Sequence, residues 1–146
     1  MPETNRPEPR CLTLILCDYL VIDQQSHKPT LVGCTQHVEV PGFPVFAGPY
    51  WFFCEFTNGH GTFEFALRVV DPDEQVLFQQ RLAIPMNNPL ETANLAMQVP
   101  GFMLRRAGAH RVELVDTAGL PLIDRRLHIY PPGTRPQMGA GRPEVR

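Results

Sequence analysis

The sequence predicts an all-β domain, an antiparallel immunoglobulin-like β-sandwich of about eight strands with little helix. Two alternations carry most of that argument. Phe63, Phe65, Leu67 and Val69 alternate with Thr62, Glu64, Ala66 and Arg68, and Ala93, Leu95, Met97 and Val99 alternate with Thr92, Asn94, Ala96 and Gln98. A period of two sends one set of side chains to a core and the other to water, which a helix cannot do. The remaining observation is punctuation. Clusters of Gly, Pro, Asn and Asp cut the chain into segments of strand length, and no long apolar stripe of helical period runs through them.

Residues 12–22 are apolar at nearly every position, as in a strand covered on both sides, with Asp18 as the interruption. A polar turn over residues 24–29 leads to residues 31–40, rich in β-branched side chains and closed by Pro41, so the two segments pair as a hairpin. Residues 50–56 form the aromatic centre of the chain. They are followed by Asn58, Gly59, His60 and Gly61, which tolerate positive φ, and by a return strand over residues 62–69. Asp71, Pro72, Asp73 and Glu74 make the turn into a strand over residues 75–84, and residues 85–89 connect it to the strand over 92–99. After the bend that opens at Pro100 and Gly101, residues 111–115 pair through Thr117, Ala118 and Gly119 with residues 120–129. Only residues 90–94 and 102–106 leave room for a helical turn.

Residues 1–10 and 131–146 combine Pro, Gly and charge with little to bury, and read as disordered tails around a domain over residues 11–130. A domain of this size buries a core on its own. The net charge of −2 in 146 residues argues against a phosphate-backbone binder, although five arginines crowd between Arg105 and Arg126. No apolar run approaches the roughly 20 residues of a membrane span, and residues 1–10 have no signal-peptide core, so a cytoplasmic location is expected. Four cysteines, Cys11, Cys17, Cys34 and Cys54, lie dispersed in apolar segments and read as free thiols, without disulfide framework, metal or cofactor.

The run Leu16, Cys17, Asp18, Tyr19, Leu20, Val21, the stretch from Lys28 to Gly33, and the segment from Val40 to the Phe43-Pro44 pair resemble an uncharacterised family of small bacterial all-β proteins, a domain of unknown function. The likeness spans residues 12–129. That family usually has Gly before the turn lysine, where this chain has His27. The closing segment, through Val99, Pro100, Gly101, Gly108 and Val112 to Ile129, resembles the last hairpin of immunoglobulin-like bacterial modules, which often place Tyr where this chain has His110. The resemblance implies the sandwich fold and no activity.

Each chemical candidate competes with a structural explanation. Cys34 and His37, three apart on an extended strand, face opposite ways and make a poor zinc pair. A nucleophilic Cys17 or Cys54 needs a base that only tertiary structure can bring from His37, His60, His110 or His128. Asp18 is costly in an apolar strand, and a bulge or strand-end residue accepting backbone N–H bonds explains it best. The acidic turn at Asp71, Asp73 and Glu74 has the oxygen donors of a calcium loop but no second acidic loop, so a solvated hairpin turn is favoured. Arg105, Arg106, Arg111, Arg125 and Arg126 suit a planar anion, diluted by Glu113, Asp116 and Asp124.

Strand parity singles out the aromatic segment. Trp51 and Phe53 share a face with Glu55, while Phe52, Cys54 and Phe56 take the other, so an outward Glu55 carries the two aromatics outward with it. An exposed aromatic pair marks contact with a partner, a ligand or a second copy; cover by the proline-rich residues 41–49 is the competing explanation. The expectation is therefore a non-enzymatic protein-interaction module, self-association included, with Trp51, Phe53, Glu55, Arg105, Arg106 and Arg126 as candidate binding residues. A small-ligand or carbohydrate binder using Trp51 is the alternative, ahead of an enzyme of unrecognised type.

Overall fold

Alternating apolar residues need a partner layer, and two sheets supply it. The computed structural model describes residues 8–134, and among these it contains eleven strands and no helix. In chain order they are β1 (Arg10–Ile22), β2 (Pro29–Cys34), β3 (His37–Glu39), β4 (Val45–Ala47), β5 (Tyr50–Thr57), β6 (Gly61–Val70), β7 (Val76–Met86), β8 (Ala93–Val99), β9 (Phe102–Leu104), β10 (Gly108–Val115) and β11 (Pro121–Tyr130). Three of them, β3, β4 and β9, have only three residues each, and the eight longer strands are those the sequence announces. Neither helical turn forms: residues 102–104 become β9, and β8 starts at Ala93.

One sheet has the order β2-β1-β5-β8, the other β3-β11-β10-β6-β7, and β4 pairs β9 separately. The expected pairings of β1 with β2, β6 with β7 and β10 with β11 are all antiparallel hairpins. The turn at residues 58–61 behaves differently from a hairpin turn. It carries the chain out of β5 in the four-stranded sheet and into β6 in the five-stranded one, with Asn58 at φ 63°. The segment expected as a single strand over residues 31–40 is also divided. β2 stays beside β1, whereas β3 crosses to the other sheet and runs parallel to β11, with His37 against His128 and Glu39 against Tyr130.

Phe52, Cys54 and Phe56 of β5, with Leu14 and Leu16 of β1, face Phe65, Leu67 and Val69 of β6 and Val112 and Leu114 of β10 across the buried core. Phe56 and Phe65 stack between the sheets, ring centres 4.9 Å apart. An aromatic pair of this kind is worth about 1 kcal/mol beyond the area it buries. A bulge between Cys11 and Thr13 resets the parity of β1, turning Cys11 toward the core and Thr13 outward against Glu55.

The β1–β2 hairpin turns where Asp23 Oδ1 accepts from the backbone N–H groups of Gln25 and Ser26. These bonds hold the Asp23 carboxyl below its ordinary pKa. His27 adopts φ 59°, the left-handed conformation natural to the glycine that the resembled family places there. The front boundary of the domain lies slightly earlier than residue 11, since Arg10 pairs with Thr57 and the Asn58 side-chain amide donates to the Glu8 carbonyl at 3.1 Å. At the other end the Gly133 N–H donates to Glu39 Oε1 at 2.6 Å. The remainder of the two expected tails, residues 1–7 and 135–146, lies outside the described residues.

Candidate functional site

The β1–β2 hairpin is longer than the strand that flanks it. Pairing of β1 with β5 ends at Cys17 opposite Trp51, while pairing with β2 continues to Ile22 opposite Pro29. From Asp18 onward, therefore, β1 loses its β5 neighbour. Tyr19 lies opposite Val32 in register and Val21 follows two residues on, so the three share one face of the hairpin, the face turned away from Leu20 and Leu31. These three remain open to solvent at 65% (Tyr19), 54% (Val32) and 53% (Val21). The strand beside them, β2, is the edge of its sheet, with one row of backbone groups unpaired.

Trp51 and Phe53 stand together on the outer face of their sheet, as parity requires, but their exposure differs from the expectation. Phe53 is only 5% exposed. Its strand is central, and Cys17, Leu20, Leu31, Trp51 and Ala96 close over it as a second, outer apolar cluster. The proline-rich segment is not what covers it. Trp51 is half-buried at the rim of that cluster, and Glu55 accepts the Thr13 hydroxyl at 2.8 Å. The outer face therefore carries a covered cluster around Phe53 with Trp51 at its rim, while Tyr19, Val21 and Val32 stand open on the other face of the projecting hairpin.

Asp18, the puzzling carboxylate, is exposed because the hairpin has left β5 behind. It is neither buried nor bonded to backbone N–H; its side chain lies over Gly33, directly across the hairpin. A Cβ at Gly33 would meet Asp18 Oδ2 at 2.5 Å, which the exposed carboxylate can relieve by turning aside, whereas the backbone at φ +69° is what favours glycine here. Burial first, and the charge of the Asp18 carboxylate second, raise the pKa of the Tyr50 phenol.

The arginine cluster and the acidic turn, read separately in the sequence, meet in space. Arg111 binds both carboxylate oxygens of Glu74, at 3.0 and 2.9 Å, and Arg106 pairs with Asp73. Asp71 is buried and accepts from the N–H groups of Asp73 and Gln75. Arg111 holds the Glu74 carboxyl below its usual pKa and is itself held above its own, mainly through Glu74. Glu113, buried on the outer face of the five-stranded sheet, receives Arg68 at 2.6 Å and Arg111 at 3.1 Å. Arg126 is exposed on that same face opposite Arg111, and Arg105 is exposed in the turn between β9 and β10. The arginines are thus not gathered around one anion, and they lie on a different sheet from Trp51. A shallow open depression of about 510 Å³, touched by Glu64, Arg68, Arg81 and Asp116, also belongs to this side.

Among the described residues, no group of three or more His, Cys, Asp or Glu side chains is placed to hold a metal. Cys34 and His37 belong to different sheets, and His37 instead shares a hydrogen bond of 3.0 Å between Nδ1 and the Tyr130 hydroxyl and stacks on His128. Cys54 is buried in the core, and burial pushes its thiol up to about 12. Burial raises Cys17 as well. A thiol held as high as that of Cys54 is protonated at neutral pH and is a poor nucleophile.

With the geometry in place, comparison with known proteins gives the chain its relatives. The model of a family of unknown function, DUF6941, matches residues 12–120, from β1 to the final hairpin turn. The chain belongs to that family. Among solved structures it is similar to an immunoglobulin-like protein from Pseudomonas aeruginosa, at 12% identity and a TM-score of 0.42, over 86% of this chain and 98% of that one. No curated protein matches it. The family assignment and the all-β architecture agree with the resemblance read from the Cys-Asp strand and the lysine turn. No helix among the described residues is long and apolar enough to cross a membrane.

Proposed function

We propose that the protein is a non-enzymatic interaction module that recognises another polypeptide through the exposed apolar face of its β1–β2 hairpin. The observation that carries this reading is the in-register exposure of Tyr19, Val21 and Val32 beside the unpaired edge of β2. Three large apolar side chains on one strand face are the kind of anchor that a protein partner desolvates. A free edge adds backbone donors and acceptors that an extended segment of the partner can pair. The face is apolar, so salt should weaken the complex little.

The test couples capture to a surface change. Tagged full-length protein is crosslinked in its native host, and partner peptides are mapped by mass spectrometry, for the wild type and for Val32→Glu. A protein whose crosslinks converge on residues 17–34 and disappear in Val32→Glu supports the proposal. Sedimentation of the two purified proteins separates self-association from a foreign partner. Crosslinks that converge on the depression around Arg68 and Arg81, or that persist in Val32→Glu, overturn it.

A further inference from the structure

Two of the four cysteines occupy opposite positions on neighbouring strands. Cys17 of β1 and Cys34 of β2 are registered partners and therefore point to the same side of the sheet. The Thr35 N–H donates to the Leu16 carbonyl at 2.8 Å. That bond sets the phase at this end of the ladder, before the unpaired Asp18–Gly33 step: Leu16 and Thr35 sit at a hydrogen-bonded position, so Cys17 and Cys34, one step along, form a non-hydrogen-bonded pair. At such a pair the Cα atoms are about 4.5 Å apart and the side chains are closest. This separation falls at the short end of the range of roughly 4.4–6.8 Å that a disulfide spans, so a bond can form without moving the strands, under strain.

We propose that Cys17 and Cys34 are a reversible redox-modification site, closing to a cross-strand disulfide by exchange with a low-molecular-weight disulfide such as oxidised glutathione. Their exposures assign the roles. Cys34 is exposed and meets the reagent, while Cys17 is fully buried beneath the outer cluster and reacts only with its neighbour. In the first step Cys34 loses its proton to solvent, and the thiolate attacks one sulfur of the reagent, breaking the S–S bond. The released thiolate takes up a proton. Cys17, likewise deprotonated, then attacks the Cys34 sulfur of the mixed disulfide and expels the second thiolate, which is protonated in turn. The protein has lost two protons and two electrons, and the reagent, having gained them, has become two thiols.

Burial raises the pKa of Cys17, and the neighbouring Cys34 raises it further, so the closing step is the slow one. The product differs from a structural staple. The hairpin is already held by its ladder, and a strained, half-accessible disulfide is easily reduced, which are the properties of a switch. Cys11 and Cys54 stand apart from the pair: both turn toward the core, whereas Cys17 belongs to the outer cluster.

Trp51 provides the readout. It is the only tryptophan in the chain and lies directly opposite Cys17 on the other side of β1, where a disulfide quenches indole emission. Full-length protein is equilibrated in glutathione buffers of increasing oxidised fraction, and its thiols, its intact mass and the Trp51 emission are followed. The expected result is loss of two of the four thiols, a mass lower by two hydrogens, a peptide linking Cys17 to Cys34, and quenching reversed by dithiothreitol. In Cys34→Ser, a change at an exposed position, the emission stays constant in the same buffers. A glutathione adduct that persists on Cys34, a link involving Cys11 or Cys54, unchanged thiol content, or equal quenching in Cys34→Ser each overturns the proposal.

Discussion

Truncating three consecutive aromatics on β5 should produce three different losses of stability, in an order that separates core from outer cluster. Phe52 is fully buried between the sheets, and its replacement by alanine removes the ring and leaves a cavity that two packed sheets cannot collapse. A cost of about 4 kcal/mol follows. Phe53 is almost as buried, but its cover is one layer of side chains from Cys17, Leu20, Leu31, Trp51 and Ala96, with solvent beyond. That layer can settle into the gap, so the transfer loss remains and the cavity contribution shrinks, to about 2 kcal/mol. Trp51 gives up only a half-buried ring at the rim, about 1 kcal/mol. Urea unfolding followed by circular dichroism measures all three on one scale, because Trp51→Ala removes the only indole. The reasoning fails if Trp51→Ala is as costly as Phe52→Ala, or if Phe53→Ala costs less than Trp51→Ala at unchanged m-value.

Two further predictions concern buried polar groups. Arg68→Ala leaves the buried Glu113 carboxylate with Arg111 alone and should cost about 3 kcal/mol, whereas Glu113→Ala frees Arg68 to return to water and leaves Arg111 with Glu74, and should cost about 2 kcal/mol. Midpoints of denaturant unfolding decide this, and losses below about 0.5 kcal/mol for both would show the network to be no stronger than an ordinary surface pair. His110 is fully buried; its Nδ1–H donates to the Gly108 carbonyl at 3.1 Å, and its Nε2 has no hydrogen-bond partner among the described residues. Burial lowers its pKa, so protonation favours the unfolded chain: the stability it permits is complete above the ordinary histidine value and is lost as pH falls below it. Thermal unfolding from pH 7.5 to pH 5, at about the range where histidine titrates, should show a fall in the wild type that His110→Phe flattens; parallel curves for the two proteins would remove His110 as the cause.

Local pattern carried the fold a long way here. The alternations in β6 and β8 and the turn residues around Asp71 and Gly119 mark strands and hairpins because the information is written within a few residues. Two crossings between sheets were not legible. Nothing between Cys34 and His37 distinguishes a continuing strand from one that changes sheets, because the choice depends on β11, about ninety residues away in the chain. Asn58 and Gly59 resemble a hairpin turn and serve a crossing for the same reason. Parity correctly placed Trp51, Phe53 and Glu55 on one face, but parity gives direction and not cover. The burial of Phe53 comes from neighbours on β1, β2 and β8. The arginines and the acidic turn showed as separate clusters of charge, and their neutralisation of one another appears only once β10 lies beside β6.

The parallel pairing of β3 with β11 has a consequence for the order in which the newborn chain can become whole. Every strand of the four-stranded sheet has been synthesised once residue 99 leaves the ribosome, and the β6–β7 hairpin is then available to shelter its inner face. His37, Val38 and Glu39, made much earlier, must wait for His128, Ile129 and Tyr130. Until the last strand emerges, β10 has an open edge and β3 has nothing to dock against, so the nascent protein passes through a stage with apolar strands exposed to its neighbours. A message cut short before β11 would therefore yield a chain held at that stage, sticky and unable to finish, and not a slightly smaller version of the same domain.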